Sequence, residues 1–394
     1  MPVLAINEKC YGCAACSNIC PKNCIEMKLN INGEWRPFIS TTNCIECQKC
    51  VKVCPALKKP ILREPLKTYA MTITDKKKKN GCASGGMARV LYEYALSNGS
   101  VVYGCDFKQG FVLRMRSADK IDFIEDFRNS KYTFCRMEHT YKEIKNNLEK
   151  KIPVLFIGSS CQVDALKCYL GGEKDGLLTV DLVCHGVPPE QYFKDYIQMQ
   201  NQKYKECITS VKLRGENKNK DFYMRLYSGE KCLYDVFARE DLFYAGYVNC
   251  AIYEEKCYSC PYAVKRRVAD ITIGDWGGAT SIANQKLSLV LANSPKAVKE
   301  LEKIFNRQDV LYEEHTLQEA VDCNEQLRSP SKKPEFYDEM RECYRSHNFE
   351  IMAKRYIMPL VKQYKRRKKN EKIKKIVYIP MRVLGKIKRM VNRT

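Results

Sequence analysis

Cys10, Cys13, Cys16 and Cys20 are spaced C-x2-C-x2-C-x3-C and are followed by Pro21. Cys44, Cys47, Cys50 and Cys54 repeat the arrangement 34 residues later, with Pro55 in the equivalent place. Two-residue spacers let three thiolates converge from one tight loop on a compact iron–sulfur cluster. The fourth cysteine, three residues on at the start of a helical turn, points the other way and reaches the other cluster. That crossing assigns Cys10, Cys13, Cys16 and Cys54 to one [4Fe–4S] cluster, and Cys44, Cys47, Cys50 and Cys20 to the second. Four-cysteine zinc sites usually pair C-x2-C units roughly a dozen or more residues apart, so iron–sulfur is favoured. Cys24 lies outside both runs and reads as a small buried side chain.

A further group is less complete. Cys257 and Cys260 form a C-x2-C pair before Pro261, with Cys250 seven residues upstream. One such pair fits zinc, a redox dithiol, half of an iron–sulfur site or two core cysteines. Cys161 and Cys184, on turns after predicted strands, could complete a third cluster.

The elements that position these residues alternate. Strands are expected at Lys67–Thr74, Val101–Cys105, Ile152–Ile157 and Leu177–Val183, and helices at Gly86–Asn98, Gln162–Leu170 and Gln191–Gln200. Ser210–Arg214, Phe222–Tyr227 and Ile271–Ile273 add strands without clear helices between them. Val298–Phe305 and Phe336–Arg345 read as helices, and 56–66, with Pro60 and Pro65, reads as a linker. Behind the region of the first eight ligands, the pattern predicts an α/β domain with a mixed sheet, then a basic tail. Small-residue turns follow strands at Ser84-Gly85-Gly86, Gly158–Gln162 and Cys184–Pro188. Ligands of open α/β sheets bind at strand carboxyl ends, so these turns suggest a flavin or nucleotide cleft. No G-x-G-x-x-G is present, and a nicotinamide site is not supported.

Residues 1 to about 60 resemble the bacterial two-cluster ferredoxin domain, which implies an α+β domain there. The blocks Ser84-Gly85-Gly86, Ser130-Lys131-Tyr132, GSSCQ at 158–162, DLVCHGVP at 181–188, CYSCPYA at 257–263 and RVADITIGDWGG at 267–278 follow in order. Together they resemble the coenzyme F420 hydrogenase/dehydrogenase beta-subunit family. The resemblance implies an FAD-binding iron–sulfur oxidoreductase that passes electrons from ferredoxin-type clusters through FAD to coenzyme F420 or another organic substrate. It implies cluster ligands at Cys257 and Cys260 with Cys184 and Cys161, Cys250 being an alternative fourth. The implied flavin contacts are Ser84, Gly85, Gly86, Ser130, Lys131, Tyr132, Gly158, Gln162, His185, Gly186, Arg267, Asp270, Gly274 and Asp275. The implied organisation is a ferredoxin domain at 1–62, the two parts of the beta-subunit-like domain at 63–150 and 151–330, and a helical segment with the tail at 331–394. Two departures bear on the substrate. Ser159-Ser160 stands where the family often has Thr-Pro, and Trp276 follows Asp275 without an intervening aromatic.

Independent chemistry supports some of these roles. Flavin joins one-electron clusters to two-electron hydride chemistry. His185, one of only four histidines, could protonate the reduced substrate, and a structural histidine is the alternative. Lys131 or Arg267 near a flavin would stabilise negative charge, although Arg267 ends the run Lys265-Arg266-Arg267 and ordinarily reads as a surface cation. These considerations make His185 and Lys131 the candidate catalytic residues.

Composition sets the frame. The chain has 394 residues, 22 of them cysteine, and nine of those lie in the first 54. A long Lys-rich chain in a reducing compartment uses clustered cysteines for metal or redox work, and a cytoplasmic location is expected. No run reaches the roughly 18 apolar residues of a membrane span, and the first ten residues show no secretory signal. Net charge is +22, of which +13 falls in 361–394. That distribution argues against a protein-wide nucleic-acid surface. The tail reads by default as solvated and partly disordered, and it also suits an anionic membrane surface or an acidic partner, which would place the protein peripherally at an inner membrane face. The resemblance leaves two other functions open: an electron-transfer subunit serving a partner enzyme, and a cluster-bearing factor in surface-polysaccharide synthesis. A redox partner protein or subunit and a small-molecule substrate are the expected partners.

Overall fold

The computed structural model describes residues 2–5, 8–214, 222–282 and 285–371. The tail beyond 371, with the membrane-docking role expected of it, lies outside the described residues. The first strands, β1 (Ile25–Leu29) and β2 (Trp35–Ile39), form an antiparallel hairpin between the two cysteine loops. The body then contributes β3 (Lys67–Ile73), β4 (Val101–Lys108), β5 (Val112–Ala118), β6 (Cys135–Arg136), β7 (Val154–Ser159) and β8 (Leu177–Leu182). A separate three-stranded sheet follows from β9 (Ser210–Arg214), β10 (Phe222–Ser228) and β11 (Lys231–Phe237). The chain returns to the body through β12 (Ile271–Trp276), β13 (Leu287–Ala292) and β14 (Val310–His315).

The main sheet has nine strands in the order β14-β3-β13-β12-β8-β7-β4-β5-β6. Its centre, β12-β8-β7-β4, is parallel, while β13, β3 and β14 on one side and β5 on the other run antiparallel to their neighbours. The α/β architecture with a mixed sheet is as the sequence implies. Residues from 63–150 and from 151–330 interleave in this one sheet, since β3 lies between β13 and β14.

Successive residues of β7 face opposite sides of the sheet, as strand geometry requires. Leu155 and Ile157 enter one core with the helices Met87–Ser97 and Pro295–Phe305. Val154 and Phe156 enter the other with the helices Thr140–Glu149 and Ser160–Leu170. Both faces are covered, which explains the unbroken apolar run IPVLFI.

The second core also contains Ala14, Ala15 and Val53 from the cysteine-rich region. That region is therefore packed into the body and does not hang from a free linker. Residues 56–66 are likewise docked, with Arg63 bridging Arg267 through paired backbone hydrogen bonds. Buried ion pairs close the seam. Arg36 of β2 pairs with Glu34 at 3.2 Å and with Glu254 of the body at 2.9 Å, and Arg341 pairs with Glu34 at 3.1 Å. No helix among the described residues is long and apolar enough to cross a membrane.

Candidate functional site

The 34-residue repeat persists in the backbone. Gly12 and Glu46 are both left-handed, at φ +64° and +55°, as are Ala14 and Gln48 at +62° and +58°. Each pair leads into a short helix, Ala15–Ile19 or Lys49–Lys52. One cavity is walled by Cys10, Cys13, Cys16 and Cys54, and a second by Cys44, Cys47, Cys50 and Cys20. The fourth cysteine of each run thus lies in the other run's cavity. Among the described residues no group of three His, Cys, Asp or Glu side chains is arranged to hold a single metal ion. A [4Fe–4S] cluster spreads four thiolates over four irons, so cysteines around a cavity are the arrangement it needs.

Burial lifts the thiol pKa of Cys13 and Cys16, and neighbouring cysteines lift it further. Thiols placed this way can lose their protons together only with a cationic core between them, which an iron–sulfur cluster supplies. The donor set fits that group.

The two cysteine loops differ in surroundings. Residues 40–49 are all exposed except Cys44. The matching loop is covered by the body: Gly12, Ala14 and Ala15 are buried, and a Cβ at Gly12 would lie 2.7 Å from the Trp35 carbonyl and 2.9 Å from Phe134.

The third cysteine group assembles beside that covered loop. Cys161 is the second residue of the helix Ser160–Leu170, Cys184 lies two residues past β8, and Cys257 and Cys260 flank the end of the turn Glu255–Ser259. Burial raises the Cys184 thiol to about 12, with Cys161 and Cys260 adding, and raises Cys260 to about 11, with Cys161 adding. Cys257 is raised by burial, and Cys184 adds to it. Cys250, at φ +54°, acts on Tyr247, Tyr253 and Tyr258, which Cys184 or Cys257 also reach. Tyr11, between Cys10 and Gly12, lies within electrostatic range of Cys161 and Cys260, and its ring packs edge-on to Tyr262 at 5.8 Å. The first cavity and the third cysteine group are therefore neighbours.

The residues singled out for flavin divide into two sets. Those in the first set are occupied by the fold. A Cβ at Gly85 would lie 2.1 Å from the Met71 carbonyl, Gly86 caps the helix Met87–Ser97, and Ser84 donates to the Leu287 carbonyl at 2.6 Å. Gln162 completes a capping box with Ser159 and donates to the Cys135 carbonyl, and Gly158 packs on Phe156 and Gln162. Gly186 packs on Tyr253, and Gly274 on Val183. Asp270 accepts from Thr179 and Ser294.

Arg267 departs from its surface-cation reading: it is 2% exposed. Its guanidinium pairs with Asp181 at 3.0 Å and donates to Ser160, Thr272 and the carbonyls of Tyr262, Val264 and Leu182. Six acceptors saturate it, so it ties β8, β12 and the cysteine turns together.

The second set gathers at the carboxyl ends of β8 and β12, with Asp275 the penultimate residue of β12. Asp275 pairs with Arg214 at 2.8 Å, Arg214 acts on Tyr132, and Tyr132 bonds Ser130. His185 is exposed but recessed. Loss of water lowers its pKa below the usual imidazole value and Arg214 adds to this, against Asp275 and Glu325. Lys131 donates to the carbonyl of Arg128 at 2.7 Å and lies near Cys105, whose thiol is lowered to about 6 chiefly by a hydrogen bond to Cys135.

Sequence reasoning missed Arg214. It is 7% exposed, sits over the Phe222 ring at 4.3 Å, and has a buried Nε without a hydrogen-bond partner among the described residues. Its place as the last residue of a strand is the one signal that could have flagged it.

Comparison with known proteins follows the same two parts. Residues 9–57 match the 4Fe-4S dicluster domain, and residues 153–317 match the C terminus of the coenzyme F420 hydrogenase/dehydrogenase beta subunit. The chain thus joins a 4Fe-4S dicluster segment to a segment similar to the C terminus of the coenzyme F420 hydrogenase/dehydrogenase beta subunit.

Among curated proteins, an uncharacterised protein in the rpl9–rpl11 intergenic region of Porphyra purpurea is 45% identical over 53 residues. That stretch is 13% of this chain and 69% of the other. Among solved structures, the F420-reducing [NiFe] hydrogenase complex from Methanosarcina barkeri aligns over 78% of this chain and 94% of that one, at 16% identity and a TM-score of 0.45. A likeness at that score carries no argument about function. The two family matches make the chain an iron–sulfur electron-transfer oxidoreductase. Cys161, Cys184, Cys257, Cys260, His185, Arg267, Asp270 and Asp275 all fall inside the matched 153–317 segment.

Proposed function

We propose that this protein is an iron–sulfur flavoprotein that passes electrons between an external one-electron carrier and an organic two-electron substrate, coenzyme F420 being one candidate. The carrying observation is the asymmetry of the cysteine repeat. One loop is open to solvent, and its twin is buried against a third cysteine group that adjoins His185, which lies within range of Asp275 and Arg214. Cys20, Cys44, Cys47 and Cys50 would hold the entry cluster, Cys10, Cys13, Cys16 and Cys54 the middle one, and Cys161, Cys184, Cys257 and Cys260 the third. The redox partner would dock over residues 40–49, where a cluster edge is reachable.

The cleft residues supply the chemistry at the other end. FAD bound there would provide the conversion between single electrons and hydride. Arg214 and Lys131 would favour negative charge on a bound group. Tyr132 gives a flat apolar wall, and Asp275 fixes Arg214. His185, adjacent to Cys184, would hold the proton delivered to the reduced substrate.

Rapid mixing tests the route. After chemical reduction, the ferredoxin-domain clusters should reoxidise on addition of a two-electron acceptor in the native protein. In Cys257→Ala that step should slow at least tenfold with flavin retained. Equal rates in the two proteins would contradict the proposed order.

A further inference from the structure

A strip of buried charge separates the first ferredoxin cavity from the third cysteine group. Lys256 is 5% exposed and lies directly before Cys257. Its Nζ donates to the carbonyl of Tyr11 at 2.9 Å, inside the loop that carries Cys10 and Cys13. The same ammonium is paired with Glu254, which is fully buried and also holds Arg36 at 2.9 Å. Glu254 keeps one carboxylate oxygen, Oε1, buried without a hydrogen-bond partner among the described residues. The charge of Lys256 is felt at Cys257 and Cys161, and that of Arg36 arises beside Cys10.

Holding a lysine out of water costs several kcal/mol. Packing alone does not require it here, since a methionine would fill similar space. What an ammonium adds is a positive charge that touches both redox positions at once. In a low-dielectric interior such a charge acts strongly on nearby groups.

We propose that Lys256 is a positioning and tuning residue shared by two clusters: it fixes the spacing of the Cys10 loop from Cys257 and raises the reduction potential on both sides of the seam. An electron added to either cluster increases its negative charge, and the ammonium stabilises that reduced state. Glu254 opposes it and sets the size of the effect. The inference rests on the reading that Cys161, Cys184, Cys257 and Cys260 hold a third cluster.

The test is a potentiometric titration of the anaerobic full-length protein, followed by electron paramagnetic resonance, in three forms: native, Lys256→Met and Glu254→Gln. At a fixed potential, Lys256→Met should lower the reduced-to-oxidised ratio of the Cys10-set and third clusters about tenfold, a shift of about 59 mV for one electron. Glu254→Gln should move both the opposite way. The cluster of Cys20, Cys44, Cys47 and Cys50 should move least and serves as the internal control. Unmoved potentials, or shifts of the same sign in both variants, would overturn the proposal while leaving the three-cluster reading standing. If Lys256→Met loses iron, Glu254→Gln decides alone: a raised potential supports the proposal and an unchanged one overturns it. About eight irons in the native protein, four for each of two clusters, would instead remove the third cluster and the bridge with it.

Discussion

At the scale of single residues, the crossing of the fourth cysteines makes the sharpest expectation. Changing Cys20 to Ala should deplete iron from the cluster of Cys44, Cys47 and Cys50, because Cys20 stands in their cavity. Site-resolved Mössbauer or resonance spectra should show the Cys10-set cluster intact. Loss confined to that other cluster would reverse the assignment. Gly12 makes a second expectation. Its left-handed φ costs a side chain about 1–2 kcal/mol, and the Trp35 carbonyl at 2.7 Å adds a clash. Gly12→Ala should therefore lose the Cys10-set cluster selectively, as read by iron content and spectrum.

These ligands were legible because cluster binding imposes short-range spacing that a sequence displays. Arg214 and Lys256 were not, since their significance comes from neighbours 61 and 245 positions away, Asp275 and Tyr11. Arg267 misleads for the related reason that three basic residues in a row look solvated, while burial against Asp181 depends on tertiary structure.

At the scale of elements, the parallel centre of the sheet was readable from unbroken apolar runs such as IPVLFI, and the helices from their periodicity. The antiparallel flanks β5, β6, β13 and β14 were not. Strand β14, VLYEEH, has no apolar/polar alternation and buries only Val310 fully, and β6 spans two residues.

Asp270, expected near flavin, instead joins β8 to the turn after β13 through Thr179 and Ser294. Removing it as Asp270→Ala leaves those buried partners unmet and should cost about 3 kcal/mol. Lys296 and the Thr179 hydrogen bonds, against burial, hold its carboxyl below the usual aspartate pKa. A carboxyl depressed in the folded state stabilises above its unfolded pKa, and the contribution is lost as pH falls through the folded value. Denaturant titration between neutral and acid pH should thus show a stability loss below the ordinary aspartate range that is smaller in Asp270→Asn. An unchanged acid slope would refute this tie.

At the scale of the molecule, the cysteine-rich region and the α/β body share a core and a buried ion-pair seam, so redox positions are fixed relative to one another by packing. Deleting residues 372–394 removes no cysteine. The truncated protein should keep its iron and flavin content, and any loss of vesicle binding would locate a membrane role in the tail. Composition announced redox chemistry and a basic tail, yet the direction built into the molecule, one loop open and its repeat enclosed, is absent from two identical motifs.

The most direct test is a cofactor inventory of anaerobically purified protein: iron, acid-labile sulfide and extractable flavin per chain. The account predicts about twelve irons, four for each of three clusters, with matching sulfide and one FAD. About eight irons without flavin would contradict it, leaving a two-cluster carrier joined to an α/β body with no hydride chemistry of its own.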